Sequence, residues 1–513
     1  MLLPLPLTAE PLPGHLLLTS DLTLRAPDAA LPAARLLAEY LHDLLGTTPS
    51  VDADRGAIRL RIEELPHAPG NPEAYRLHIT EQGAELTGAG PAGLLNAVQA
   101  LRQLLPPAAA AGPALRLPCA LVLDAPRLGR RGLMLDVARH FTPVPGVLRL
   151  LDLMALHRLN VLQLHLTDDQ GWRLEIRKYP LLTEVGGRRP EVPNDPSDPS
   201  CRATGPAHEG WYTADDIRVI VGHAARRGIT VVPEIDLPGH VQAAMAGYPW
   251  IGNAPADARP PVGVWERWGI NTRVLNAREE TIGLFTDIVD EVIELFPSPW
   301  IHLGGDECPV DEWRESPAAR LRAQELGLAD PAELHGWIMG RLAGHVAARG
   351  RRPLGWDEIA ASTTVPKETV VVSWHGPEAA EAAAERGFDV ILAPSDETYF
   401  DLYQAEDGEP RAQKGVLTLA AAHAFDPFAG RFGDDLADRL LGAQCQLWTE
   451  YIPTGDHLDY MAFPRVAAFA ERAWGSRADY ADFLRRLLPH LERLGALGVQ
   501  YRPPTAADLT PLP

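Results

Sequence analysis

Two adjacent acids, Asp306 and Glu307, close the run HLGGDE at residues 302–307, and they are the residues of this chain best placed to do chemistry. An apolar run leading into two glycines lets the backbone turn close to a ligand and sets both acids at a strand end. Tryptophans accompany carboxylates elsewhere in the same pattern: Trp172, Trp356, Trp374 and Trp448 each lie within a few residues of an Asp or Glu. Carboxylates that move protons, beside indole faces that pack on C–H bonds and without a metal-ligand spacing, point to glycosidic bonds. Neighbouring residues cannot straddle a sugar ring as an acid and an opposed nucleophile, which need about 5 Å or more between them. One of the two therefore has another task. A 2-acetamido group on the substrate would supply the missing nucleophile from its own carbonyl oxygen, leaving the protein to orient and polarise that amide.

These residues need a scaffold that gathers strand ends. Eight short apolar runs alternate with amphipathic helical stretches: RGLMLDVA from Arg131, NVLQLHLTD from Asn160, TVVPEIDL from Thr230, WIHLGGDE from Trp300, RRPLGWDE from Arg351, TVVVSWHG from Thr369, DVILAPS from Asp389 and AQCQLWTE from Ala443. Helices are predicted between them, at 147–159, 215–227, 281–296 and 331–348. Eight such units predict an α/β fold, a (β/α)₈ TIM barrel, with an open doubly wound sheet as the lesser alternative. Polar residues should then gather at the C-terminal strand ends, and the runs end in Asp136, Asp168 and Asp169, Asp236, Asp306 and Glu307, Asp357 and Glu358, Trp374 and His375, and Trp448 and Glu450. Long connections at 170–212 and from 399 to about 433 read as binding elements.

A chain of 513 residues exceeds one ordinary core. Residues 1–125 are predicted to form a smaller α+β domain, with strands from Ala57 and Ala74 and helices at 31–45 and 94–105, and residues 126–513 the barrel. The Ala/Pro-rich stretch from Pro106, PPAAAAGPALRLP, reads as the connector. Hydrophobic residues at 46% and charged residues at 22% suit a compact soluble fold. A formal net charge of −21 argues against nucleic acid as partner. Lysine occurs only at positions 178, 367 and 414. Cys119, Cys201, Cys308 and Cys445 have no metal-like or paired spacing and read as free, mostly buried thiols. The first residues, MLLPLPLTAEPLPGHLLL, lack a basic start and are broken by prolines, and no run reaches the roughly 20 apolar residues of a membrane span, so a cytoplasmic location is expected.

The motifs RGLMLDVARHF (131–141), HLTDDQGWR (165–173), PEIDLPGH (233–240), HLGGDE, GWDE (355–358), SWHG (373–376), Tyr399-Phe400-Asp401 and LWTE (447–450), in that order, resemble glycoside hydrolase family 20, the β-N-acetylhexosaminidases. The resemblance runs through nearly the whole chain and implies removal of terminal β-linked N-acetylglucosamine or N-acetylgalactosamine by a retaining, substrate-assisted route, with no cofactor or metal. It implies Glu307 as general acid and then base, Asp306 as partner of the acetamido N–H, and Tyr399 as donor to the acetamido carbonyl. Trp356, Trp374 and Trp448 would wall the pocket, and Arg131, Asp401 and Glu450 would bind sugar hydroxyls. His240 and Asp169 would support Glu307. Without the resemblance, Arg131 and Asp401 read as ion pairs within the barrel and His240 as a core histidine. The chain departs from the family in one respect: residues 404–427 contain no tryptophan, which bears on epimer discrimination or on the lid.

Two other readings compete. A metal-dependent barrel hydrolase would use His165, His240, His302 and strand-end aspartates, but there is no HxH on the first strand and no strand-end lysine to bridge metals. A sugar-binding module without catalysis would have no need to retain both Asp306 and Glu307.

Overall fold

The computed structural model describes residues 2–107, 114–189, 207–253, 262–429 and 436–510. Eight parallel strands close into a barrel: Arg130–Asp136, Val161–His165, Thr230–Leu237, Trp300–Gly304, Arg352–Trp356, Val370–Ser373, Asp389–Leu392 and Leu440–Leu447, the last pairing back onto the first. All eight coincide with the apolar runs expected from the sequence. Near-continuous burial explains why these runs lack alternation: the first strand is buried at every position, because one face fills the barrel and the other meets the surrounding helices. Helices such as Val144–Leu156, Ala214–Ala225, Glu279–Leu295 and Leu334–Ala348 fall close to the predicted spans. The second of these starts at a reciprocal cap between Thr213 and Asp216, which satisfies two backbone donors of the first turn.

Before the barrel lies a seven-stranded sheet in the spatial order Thr8–Thr19, Ala114–Asp124, Tyr75–Thr80, Gly83–Gly88, Ile58–Ile62, Thr23–Arg25, Ser50–Asp52, with helices Leu31–Leu45 and Pro91–Leu104 packed into its own apolar core. The reading of a connector from Pro106 needs correcting in part. Residues 108–113 lie outside the described residues, but Ala114–Asp124 is a central strand, antiparallel to both Thr8–Thr19 and Tyr75–Thr80. Pro118 masked that strand. It is tolerated because pairing with Tyr75–Thr80 covers only residues 120–124, so no neighbour on that side needs its missing N–H.

Arg131 is not a sugar ligand. It sits one residue into the first barrel strand, at the end opposite the catalytic strand ends, and is 1% exposed. Its guanidinium pairs with Glu73 of the N-terminal sheet unit at 2.5 and 3.0 Å and donates to the carbonyls of Leu128 and Arg158 at 2.6 and 2.9 Å. Nearby, buried Asp124 accepts from Tyr75 Oη at 2.8 Å and Trp474 Nε1 at 3.0 Å, with Arg158 at 3.5 Å. These contacts lock the N-terminal sheet to the floor of the barrel. Cys119 and Cys445 are buried free thiols and Cys308 is a half-buried one, while Cys201 lies outside the described residues. Among the described residues no helix is long and apolar enough to cross a membrane.

Removing one partner of a buried ion pair strands the other charge. Arg131→Met is expected to cost on the order of 3 kcal/mol of stability, read as a lower thermal midpoint, while KM for a sugar substrate stays unchanged. A raised KM with an unchanged midpoint would return Arg131 to the binding site.

Candidate active site

The strand Trp300–Gly304 delivers the two acids through a turn that only glycine permits. Gly304 and Gly305 have φ of 67° and 103°. A Cβ on Gly304 would stand 1.6 Å from Asp236 Oδ1, and one on Gly305 2.5 Å from Ile359 Cγ2. Asp236 Oδ1 also accepts the Gly305 N–H at 3.3 Å, fixing the turn from the neighbouring strand. Glu307 itself has φ of 43° and His240 φ of 52°, two of the three non-glycine residues with positive φ among those described. Such backbone costs of order 1–3 kcal/mol and persists where surrounding contacts over-determine it. The Glu307 N–H is held by Glu358 Oε1 at 3.3 Å.

His240 stands between four carboxylates. Its Nδ1 is 3.3 Å from Asp168 and 3.5 Å from Asp169; its Nε2 is 3.6 Å from Glu307 Oε2 and 3.8 Å from Asp306 Oδ2. Burial alone would discharge the ring, but Asp168, Asp169 and Glu307 outweigh it and hold its pKa well above the ordinary histidine value. Burial raises Asp306 to about 6, with Glu234 and Glu307 adding to the rise and His240 opposing it. Asp306 Oδ1 and Asp401 Oδ1 are buried and have no hydrogen-bond partner among the described residues. Two acceptors left over inside a cavity are matched to donors on a ligand.

The cavity holds about 590 Å³, within the range of small-molecule sites, and its lining includes Asp306, Glu307, His240, Trp356, Trp374, Tyr399, Asp401, Trp448 and Glu450. Its inner wall is aromatic: Tyr399 lies 6.5 Å from Trp374, with planes 25° apart, and Trp448 lies 6.3 Å from Tyr399 and 6.0 Å from Trp356. Two of the three indoles are tied down. Trp356 Nε1 donates to Glu234 at 2.9 Å, and Trp374 Nε1 to Glu358 at 3.2 Å. Burial raises Asp401 to about 8, helped by Glu450, and burial also raises Glu450. Asp169 is buried outside the cavity lining and meets His240 with one oxygen at 3.5 Å, its other oxygen accepting the Gln242 N–H at 2.9 Å. Trp172 is a core residue: it is 1% exposed, and its indole donates to the Leu174 carbonyl at 2.7 Å.

The cation missing from the expected set is Arg139. It lines the cavity and reaches Asp168 at 2.8 Å, Asp136 at 3.2 Å and Glu450 at 3.6 Å. Burial works against its charge, but these three carboxylates push its pKa well above the ordinary arginine value. The signal was present in the motif RGLMLDVARHF: Arg139 follows the strand end at Asp136, whereas Arg131 sits at the strand start, and barrel sites lie past the C-terminal ends. Asp168, Glu358 and Trp268 were also not singled out as site residues. Asp168 gives His240 its shortest carboxylate contact, Glu358 spans Glu307 and Trp374, and Trp268 enters the lining from the connection after Thr230–Leu237.

The histidines of the metal reading are engaged otherwise. His165 and His302 direct Nδ1 at the two oxygens of Glu234, at 2.9 and 3.2 Å. Carboxylate neighbours hold both His165 and His240 well above the ordinary histidine value despite burial.

Residues 129–477 match the family model described as glycosyl hydrolase family 20, catalytic domain, and residues 1–125 match its domain 2. A β-hexosaminidase of Porphyromonas gingivalis is 36% identical over 490 residues, covering 92% of this chain, and the chain spans 60% of that relative's length. The structure of an exo β-N-acetylglucosaminidase of Vibrio harveyi in complex with N-acetylglucosamine superposes with a TM-score of 0.86 at 34% identity, covering 98% of this chain and 78% of the other. A β-N-acetylhexosaminidase of Streptomyces coelicolor A3(2) gives 0.83 at 31% identity, covering 98% of both chains. With an eight-stranded barrel, a preceding sheet domain and the acid pair at the strand ends, the chain belongs to glycosyl hydrolase family 20.

Proposed function

We propose that this glycoside hydrolase removes terminal, non-reducing, β-linked N-acetylglucosamine or N-acetylgalactosamine residues with retention, using the substrate's acetamido group as nucleophile. One observation carries the reading. Asp306 and Glu307 both face the same cation, His240 Nε2, at 3.8 and 3.6 Å, so they share one side of the site and cannot act as an opposed acid and nucleophile. The assignment of each role rests on this geometry and on the family.

Glu307 donates its proton to the glycosidic oxygen as the bond from the anomeric carbon breaks. The acetamido carbonyl oxygen closes onto that carbon, giving an oxazolinium ring and a neutral leaving alcohol. Asp306, as an anion, accepts the amide N–H and offsets the ring's positive charge, and the Tyr399 hydroxyl donates to the carbonyl oxygen. Glu307, now a carboxylate, takes a proton from water, and the resulting attack on the anomeric carbon reopens the ring. Two inversions at one carbon give net retention. His240, held by Asp168 and Asp169, keeps the acid pair in place through both steps. Asp401, Glu450 and Arg139 meet the sugar hydroxyls.

Aryl β-glycosides of N-acetylglucosamine, N-acetylgalactosamine and glucose separate this mechanism from an ordinary two-carboxylate one. The glucoside should be turned over negligibly, and equal rates on all three would sink the acetamido route. Glu307→Gln is expected to lose about 10²–10⁴-fold in kcat on poor leaving groups and far less on activated aryl ones; wild-type rates would refute the assignment.

Because burial raises Asp306 to about 6 and only its anion can stabilise the oxazolinium, kcat/KM should fall as pH drops through about 6. The residual activity of Asp306→Asn should lack that inflection, and superimposable profiles would contradict the role. Arg139→Lys keeps the charge but loses the fork spanning Asp168 and Glu450, so KM should rise by about tenfold or more.

A further inference from the structure

The lining of the catalytic cavity includes residues that this mechanism does not use. Among them are the half-buried Trp268 and the exposed Gln413 and Lys414, which therefore stand at its mouth. Building on the hexosaminidase reading, we propose that this mouth is a subsite for a leaving-group sugar bearing a negatively charged substituent. Trp268 is its stacking face and Lys414 its counter-charge.

Trp268 is positioned from the catalytic core. Its segment is tied down where Trp265 N donates to the Asp169 carbonyl at 2.9 Å, Gln170 Nε2 to the Arg267 carbonyl at 2.8 Å and Gln242 Nε2 to the Gly263 carbonyl at 2.7 Å. The indole itself is flanked by the buried Arg189 guanidinium, 5.1 Å from the ring, and by His140 at 5.8 Å. Arg189 in turn donates to the Gln170 and Arg139 carbonyls at 3.1 and 2.9 Å. An aromatic face held this firmly at a cavity mouth loses little freedom on meeting a sugar ring. Residues 404–427, which include Gln413 and Lys414 of the same lining, contain no tryptophan that could serve instead.

Lys414 is placed with similar economy. The short exposed strand Gln413–Val416 is stapled to the inner site by Gln413 N donating to the Asp401 carbonyl at 2.9 Å, and next to it Leu417 N donates to the Tyr403 carbonyl at 2.8 Å. Of the other two lysines, Lys178 pairs with Asp287 and Lys367 lies 3.9 Å from the Phe388 ring. The Lys414 ammonium has no carboxylate within 4.0 Å among the described residues, Asp396 of the same lining included. A cation left unpaired beside an acid-lined cavity is matched to an anion on the ligand.

The test uses two disaccharides that differ in one group. N,N′-diacetylchitobiose has a neutral leaving sugar; the corresponding disaccharide ending in N-acetylmuramic acid carries a lactyl carboxylate on it. Lys414→Gln is expected to lower kcat/KM about fivefold for the acidic disaccharide and by less than about twofold for chitobiose. The acidic-substrate effect should shrink with added salt and be restored in Lys414→Arg. Trp268→Ala should lower kcat/KM about tenfold on both disaccharides, while inhibition by an N-acetylglucosamine thiazoline, which fills only the inner site, stays unchanged. Equal effects of Lys414→Gln on the two disaccharides, or none on either, would overturn the charge assignment. A Trp268→Ala variant that weakens thiazoline inhibition as much as disaccharide hydrolysis would overturn the subsite. Failure of the unmodified protein both to cleave chitobiose and to bind the thiazoline would overturn the hexosaminidase reading beneath the proposal.

Discussion

A buried cation among carboxylates is the interaction on which the rest of this site depends. His240 is 4% exposed, and four acids lie within 3.8 Å of its ring nitrogens. Without its charge, Asp306 and Glu307 would repel each other inside a poorly solvated cavity and the Asp306 pKa would climb. Protonated, the imidazole lowers Asp306 against the pull of burial and leaves it near 6, where it can ionise at working pH. The strained backbone at His240 and at Glu307 belongs to the same arrangement. Both residues adopt left-handed φ, and each is over-determined by neighbours: His240 by the paired aspartates, Glu307 by Glu358. Strain and electrostatics thus act on one set of atoms.

Beneath this layer lies a second buried charge, Glu234, on the third barrel strand. Its carboxylate takes Gln163 Nε2 at 2.8 Å and Trp356 Nε1 at 2.9 Å, and faces His165 and His302. Burial opposes the charge, yet the two histidines hold its pKa well below the usual carboxylate range. A fully partnered carboxylate here works as a hub: it orients the indole at the cavity floor and joins four strands of the barrel at one level. The hub and His240 also communicate through Asp168, which accepts from His165 Nε2 at 3.0 Å and pairs with Arg139. Changes in this region therefore act on several groups together, and their effects should not add.

One motif serves both ends of the barrel. In RGLMLDVARHF, Arg131 secures the N-terminal sheet at the base, while Arg139 lies past the strand end among Asp136, Asp168 and Glu450. Both are buried and both carry carboxylate partners, so residue type and burial do not separate them. Position along the strand does. The barrel's polarity places one arginine at its base and the other in the lining of the cavity.

Much of the molecule was legible in its sequence. The eight strand runs, the acid pair and the preceding α+β unit follow from local patterns, and the choice of Trp356, Trp374 and Trp448 as pocket walls from the family resemblance: a buried parallel strand is a short apolar run, and a strand-end acid marks the rim wherever that strand lies. The tertiary structure alone decided which residues from different connections meet. Arg139 in place of Arg131, Trp172 in the core, Asp168 nearest His240, and Trp268 in one cavity lining with Lys414 depend on contacts between segments tens to hundreds of residues apart. Local pattern carries a residue's chemistry and its place on an element; closing the barrel sets its partners, and those partners fix its charge.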